Sequence, residues 1–170
     1  MSAPRSLHAL TAAIDRLTGH VDDWTTPRLL DEGLDLVRDA SWADACALLR
    51  CDGPSILPVH TRPADVVGDE GPIASAVPDS WFPWGLAPVR PDRFLLVDDA
   101  RPLAIEPDGR TLGDAGVRSC LHLPLLERGE PVGAIHVFWS EPHLAWDDDR
   151  GRLLRSLGRF LLTCSVPDPA

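Results

Sequence analysis

The chain has 170 residues, 44% of them hydrophobic and 25% charged, with a formal net charge of −10; that is the size and composition of one globular domain around one core. The acidity works against nucleic-acid and anionic-membrane partners, which need a basic face, and leaves one local basic cluster at Arg150, Arg152, Arg155 and Arg159. No apolar run approaches the roughly 20 residues of a membrane span, and Met1 to Leu10 has no apolar stretch behind a basic start, so a cytoplasmic protein without a secretory leader is expected.

In chain order, Leu7, Leu10, Ile14 and Leu17 recur at helical spacing and predict an amphipathic helix over 5–18, with Gly19 as its stop. Thr26 before Pro27 reads as an N-cap with proline at the first helical position. Leu30, Leu34 and Val37 then give a second apolar stripe to about Asp39. Residues 43–50 predict a strand, Asp52-Gly53-Pro54 a turn, and Ser55 to His60 the returning strand. Residues 61–92 are proline-rich and hold Trp81, Phe82 and Trp84. Apart from a short helix expected over Ile73–Val77, they read as an ordered loop of functional length.

Phe94 to Val97 predicts a short strand ending at Asp98-Asp99, and Asp108 to Ala115 a short helix. Val117 to Glu127 alternates strongly, and Arg128-Gly129 turns it back into Pro131 to Trp139, the clearest hairpin of the chain. Asp147 is expected to cap a last helix whose apolar face is Leu153, Leu157, Phe160, Leu161 and Cys164; a proline-containing tail follows. Cys46, Cys51, Cys120 and Cys164 form no C-x-x-C pair and are expected to be buried small hydrophobes.

Within this order stand LVDDARP (95–101), GVRSCLHLPLLERGEPVGAIHVF (116–138) and WDDDRGRLLRSLGRFL (146–161). Together they resemble the GAF domain family over about residues 26–164. The resemblance implies an α/β (α+β) fold, with a GAF/PAS-like central antiparallel sheet, helices packed on one face and a ligand pocket on the other. It divides the chain into a helical extension (1–25), the GAF domain (26–164) and a tail (165–170). The cyclic-nucleotide signature of that family is absent. The segment DGRTLGDAG (108–116) also lacks the cysteine–histidine pair of bilin-binding members.

Strand alternation proposes which face is the pocket. Leu121, Leu123, Leu125, Ile135, Val137 and Trp139 are all apolar and suit the helix side. Arg118, Cys120, His122, His136 and Phe138 mix polar with apolar groups, as ligand sites do. This needs a hairpin register that brings Cys120 near His136; a strict two-residue turn at Arg128-Gly129 would swap the faces of one strand. Trp81, Phe82, Trp84 and the Asp98-Asp99 loop would roof the pocket. Cys120, His122 and His136 have donor types suited to zinc or iron but lack an evident fourth ligand. Arg118 could lower the Cys120 pKa and favour redox sensing. The third and preferred idea is an anionic or aromatic ligand on Arg118 and the tryptophans.

The sequence carries no nucleophile elbow, phosphate loop or H-E-x-x-H, so a non-enzymatic sensor is expected, its cofactor unspecified. It would regulate a separate kinase, phosphatase or transcription regulator, and would form a homodimer through the surplus first helix. A constitutive interaction module with an empty pocket is the alternative.

Overall fold

The computed structural model describes residues 6–52, 55–63, 77–78, 94–102, 112–114 and 116–166. Three helices cover one face of an antiparallel sheet. They are α1 (Leu7–Thr18), α2 (Thr26–Ser41) and α3 (Asp148–Cys164). The strands are β1 (Ala45–Asp52), β2 (Ser55–Arg62), β3 (Val77–Pro78), β4 (Leu95–Val97), β5 (Ser119–Glu127) and β6 (Glu130–Trp139). Their order across the sheet is β3-β2-β1-β6-β5-β4, so the chain crosses from one half of the sheet to the other between β3 and β4.

The helix ends obey local chemistry. The Ser6 hydroxyl accepts the Ala9 N–H at the start of α1, and the Asp147 carboxylate accepts the Asp149 N–H at the start of α3, each satisfying a donor the helix cannot. At α2 the cap is Thr25, one residue before the predicted Thr26, and it makes no side-chain bond there. Val77 pairs with Ile56 as part of β3 rather than closing a helix. Residues 112–114 form a turn, while 73–76 and 108–111 lie outside the described residues.

The core lies between helices and sheet. Leu34, Val37, Cys46, Leu48, Leu123, Ile135, Leu157 and Leu161 are all fully buried within it. Helix α3 approaches so closely that a Cβ on Gly158 would stand 2.6 Å from Ile135 Cδ1 and 2.9 Å from Leu125 Cδ2. Helix α1 joins the same cluster: Leu10 and Leu17 are buried against α2 and α3. The stripe taken from sequence as needing a second copy is therefore covered within one chain. Between the layers, Arg62 grips the Asp35 carboxylate with Nε at 3.0 Å and Nη2 at 2.6 Å, tying β2 to α2.

The β5–β6 hairpin resolves the register question in two parts. Arg128 and Gly129 have φ of +53° and +90°, the two positive values of a type I′ turn, and Glu127 pairs directly with Glu130. The turn is thus a strict two-residue one. Then Leu126 faces Pro131 while Leu125 faces Gly133, so Val132 is an extra residue and forms a β-bulge. The bulge shifts every later pair by one. It restores the all-leucine face of β5 to the same side as Ile135, Val137 and Trp139.

Candidate functional site

The sheet face away from the helices is built in rows set by pairing. One row runs Ala45, Phe138, Cys120, Val97 across β1, β6, β5 and β4. The next runs Ala47, His136, His122, Leu95. Ala47, Leu49, Ala134 and Phe138 are buried there, joined by Ala100, Leu112 and Val117 from the connecting segments. The division of β5 and β6 into an apolar helix side and a mixed far side stands as the alternation predicted.

The two histidines are direct cross-strand partners. His122 Nδ1 lies 2.6 Å from His136 Nε2, with ring centroids 4.8 Å apart. Each is only 3% exposed. Burial pushes His122 down to about 4 and lowers His136 well below the ordinary imidazole value, with the neighbouring His122 adding to it. Both rings are therefore neutral at pH 7, and one nitrogen of the pair carries the shared proton. The Phe138 ring stands edge-on to His136, with centroids 5.9 Å apart, fixing it from the other side.

His122 Nε2 is buried with no hydrogen-bond partner. Leaving such a group unmade costs about 1–3 kcal/mol, and native interiors rarely tolerate it. Its character depends on the shared proton. If His136 donates, His122 presents an N–H on Nε2; if His122 donates, Nε2 is a lone pair. The nitrogen can thus answer either a hydrogen-bond acceptor or a donor.

Arg118 stands one residue before β5 on the same side by register. Its N–H donates to the Trp139 carbonyl at 2.7 Å, and its carbonyl accepts the Ala100 N–H at 2.8 Å. Its Nε is a second buried atom without a partner. The third is Trp146 Nε1, on the helix side near Gly151. Nearby, the Ser119 hydroxyl donates to the Asp98 carbonyl at 3.0 Å and accepts the His143 N–H at 2.9 Å, fastening the β4 end to β5.

The structure therefore brings Cys120, His122, His136 and Phe138 onto one buried face, with Arg118 at its margin. The Asp98 side chain is exposed, and that residue contributes its backbone carbonyl. Trp81, Phe82 and Trp84 lie outside the described residues. Cys46 and Cys120 are buried, as expected, while Cys51 and Cys164 are only partly buried. Cys120 is not activated by Arg118: burial pushes its thiol up to about 12, so the thiol stays protonated. The histidines do not converge on an ion with Cys120, because their facing nitrogens hydrogen-bond each other; among the described residues no group of three His, Cys, Asp or Glu could hold a metal. Sequence reasoning missed the His122–His136 bond, since direct opposition depends on the bulge at Val132. A signal was present in two histidines at matching parity.

A family model described as GAF domain matches residues 25–161. Among solved structures, the GAF domain of an Acinetobacter phosphoenolpyruvate-protein phosphotransferase is 16% identical, with a TM-score of 0.65 over 94% of this chain and 93% of that one. The phycoerythrobilin-bound GAF domain of a cyanobacterial phytochrome is 14% identical, with a TM-score of 0.64 over 92% and 95%. A free methionine-R-sulfoxide reductase from Neisseria meningitidis, in complex with its substrate, is 13% identical, with a TM-score of 0.59 over 92% and 88%. At these identities the likeness is one of fold. No curated protein matches the chain. Among the described residues no helix is long and apolar enough to cross a membrane.

Proposed function

The chain belongs to the GAF domain family, and from that premise we propose that it is a non-enzymatic small-molecule sensor that signals to a separate protein. The observation that carries this reading is the buried, unpartnered His122 Nε2, oriented by its bond to His136. A neutral nitrogen in an apolar wall selects a ligand group that completes its hydrogen bond. Arg118 Nε at the margin favours a ligand with an anionic or carbonyl end.

Support for a non-enzymatic role comes from the chemistry of the same wall. The histidines engage each other rather than a nucleophile, and the Cys120 thiol is held protonated. The fold does not decide this, since a sulfoxide reductase shares it. A kinase, a phosphotransfer protein or a transcription regulator is the partner class we favour, following the GAF domain of a phosphotransferase.

The test is a thermal-shift screen of ring-bearing metabolites at pH 7 on the native protein and on His122→Leu. A ligand at a hundred times its Kd adds about 2.7 kcal/mol, which for a domain of this size raises Tm by about 5–10 °C. The expected result is such a shift in the native protein and its loss in a folded His122→Leu variant. A shift of equal size in both would overturn the reading.

The second reading is a constitutive interaction or homodimerisation module. The tight closure of Ala47, Leu49 and Ala134, all at most 1% exposed, favours it. Light scattering that gives a dimer unaffected by any screened compound would select it. A monomer at 18.5 kDa would remove its homodimer form.

A further inference from the structure

Five of the sixteen arginines of an otherwise acidic chain gather along α3 and the tip of the β5–β6 hairpin. Two depressions adjoin along α3. The first, about 220 Å³, is lined by Arg152, Arg155, Ser156 and Arg159 together with Pro124 and Leu126. The second, about 660 Å³, has an apolar floor that includes Leu126, Pro131, Val132 and Leu162, and its margin holds Arg50, Arg128 and Arg159. Leu126 and Arg159 belong to both, so the two form one continuous groove with a polar end and an apolar end.

Several features make this more than a solvated helix face. The Arg159 and Arg128 guanidinium groups have no hydrogen-bond or ion-pair partner among the described residues; the Arg159 carbonyl accepts the Thr163 hydroxyl at 3.0 Å. Among the described residues the Arg152 guanidinium meets only Asp149, at 3.3 Å, a wide exposed pair of little strength. Arg50 is held in place: its Nη2 donates to the Leu162 carbonyl at 3.2 Å and the Ser165 hydroxyl at 2.6 Å. Among the described residues the lining carries one carboxylate, Glu127, against five arginines in a chain of net charge −10. Guanidinium groups present planar paired donors suited to phosphate and carboxylate. The floor, with Leu126 and Val132 only partly buried, has apolar surface left to cover.

We propose that this groove is a second ligand site, which binds a small amphipathic anion. Its phosphate or carboxylate head sits among Arg152, Arg155, Ser156 and Arg159, and its apolar chain lies over Leu126, Val132 and Leu162. The larger depression lies within the usual 300–1,000 Å³ of small-molecule sites. Local charge governs the contact because the net negative charge elsewhere is screened beyond about 8–10 Å. The ligand lies between α3 and the tip of the β5–β6 hairpin, so binding there would brace the last helix against the sheet.

The probe is n-decyl phosphate below its micelle concentration, titrated by calorimetry into the full chain, with decanol and inorganic phosphate as its two halves. The expected result is saturable binding at least tenfold tighter than either half, weakened at least tenfold in Arg159→Glu. Amide shifts in the NMR spectrum should map to Leu126, Val132 and Leu162 and spare His122 and His136. Decanol binding as tightly as decyl phosphate would overturn the proposal, as would unchanged affinity in Arg159→Glu or shifts confined to the histidine face. Co-sedimentation with phosphatidylglycerol vesicles that Arg159→Glu abolishes would make the groove a membrane contact and overturn the free ligand. Exposed Arg159 can be changed without disturbing the core, so an unfolded variant does not stand in the way.

Discussion

The two faces of the sheet come from the same strands and are equally buried, yet their chemistry diverges. At the centre of the helix side hydrocarbon meets hydrocarbon: Leu121, Leu123, Leu125, Ile135 and Val137 meet Leu154, Leu157 and Leu161 with at most 1% exposure, and the unpartnered Trp146 Nε1 lies apart, beside Gly151. The far side carries two imidazoles, one nitrogen of which has no partner. On the proposed function these imidazoles serve recognition, since apolar groups of the same shape serve folding as well or better. The contrast suggests a division of labour, in which the helix side stabilises the domain and the far side accepts the cost of a recognition surface.

Four measurements break or sharpen that contrast. The largest effect is expected on the helix side. Leu123→Ala should lower unfolding free energy by about 2–5 kcal/mol, through lost burial and a cavity under α3; urea denaturation reads it. A loss under 1 kcal/mol would mean the helix side is not the main source of stability.

Next comes the far side. His122→Leu alone should cost about 1–3 kcal/mol, because it strands the facing His136 nitrogen, and His122→Leu with His136→Leu should cost less than the two single changes added together. A double-mutant cycle measures the coupling. Additive losses would show that the two rings do not act as a pair.

Third is the pH dependence. The folded-state pKa of His122 is lowered to about 4, and that of His136 is lowered as well. In the unfolded chain both titrate near 6.5, so below that value the unfolded state binds more protons and stability falls with pH. The pair's contribution is full above about pH 6.5 and declines toward the folded-state values. Each imidazole contributes a slope of about 1.4 kcal/mol per pH unit in that window. Unfolding titrations at pH 7 and 5.5 should show the decline in the native protein and a clearly smaller one in the double-leucine variant. Equal slopes would place the titrating groups elsewhere.

The smallest effect tests a helix end that neither face needs. Asp147→Ala removes the cap on the Asp149 N–H and should cost about 1 kcal/mol without altering ligand shifts. A change in ligand response would show that the far side is coupled to the start of α3.

Much of the fold was legible because its signals are local. Leucine spacing marked α1 and α2, the Asp147 cap marked α3, and the alternation of 117–139 separated the two faces of the hairpin before any contact was known. Alternation picked the right pairing of faces, but the means was not legible, because the Arg128-Gly129 turn by itself called for the other register. One extra residue, Val132, satisfies both, and a bulge has no signature strong enough to place it in advance. The site was half legible: Cys120, His122, His136 and Phe138 were assigned one face by parity. Their protonation and the idle Nε2 depend on what surrounds them in space.

On α3 the sequence picked Leu153, Phe160 and Cys164, which are only partly buried, where Leu154 and Leu162 lie in the core. By itself it determined the three helices, the two hairpins, the apolar side of the β5–β6 hairpin and the family. Those follow from periods of two and 3.6 residues and from turn and cap chemistry, which act over a few neighbours. Tertiary structure decided that α1 packs into its own core, that Cys120 is inert and that His122 bonds His136. It also decided that the α3 arginines line a groove with the hairpin tip. Each depends on groups far apart in the chain, whose burial and hydrogen bonding are set only once the sheet has closed and the helices have docked.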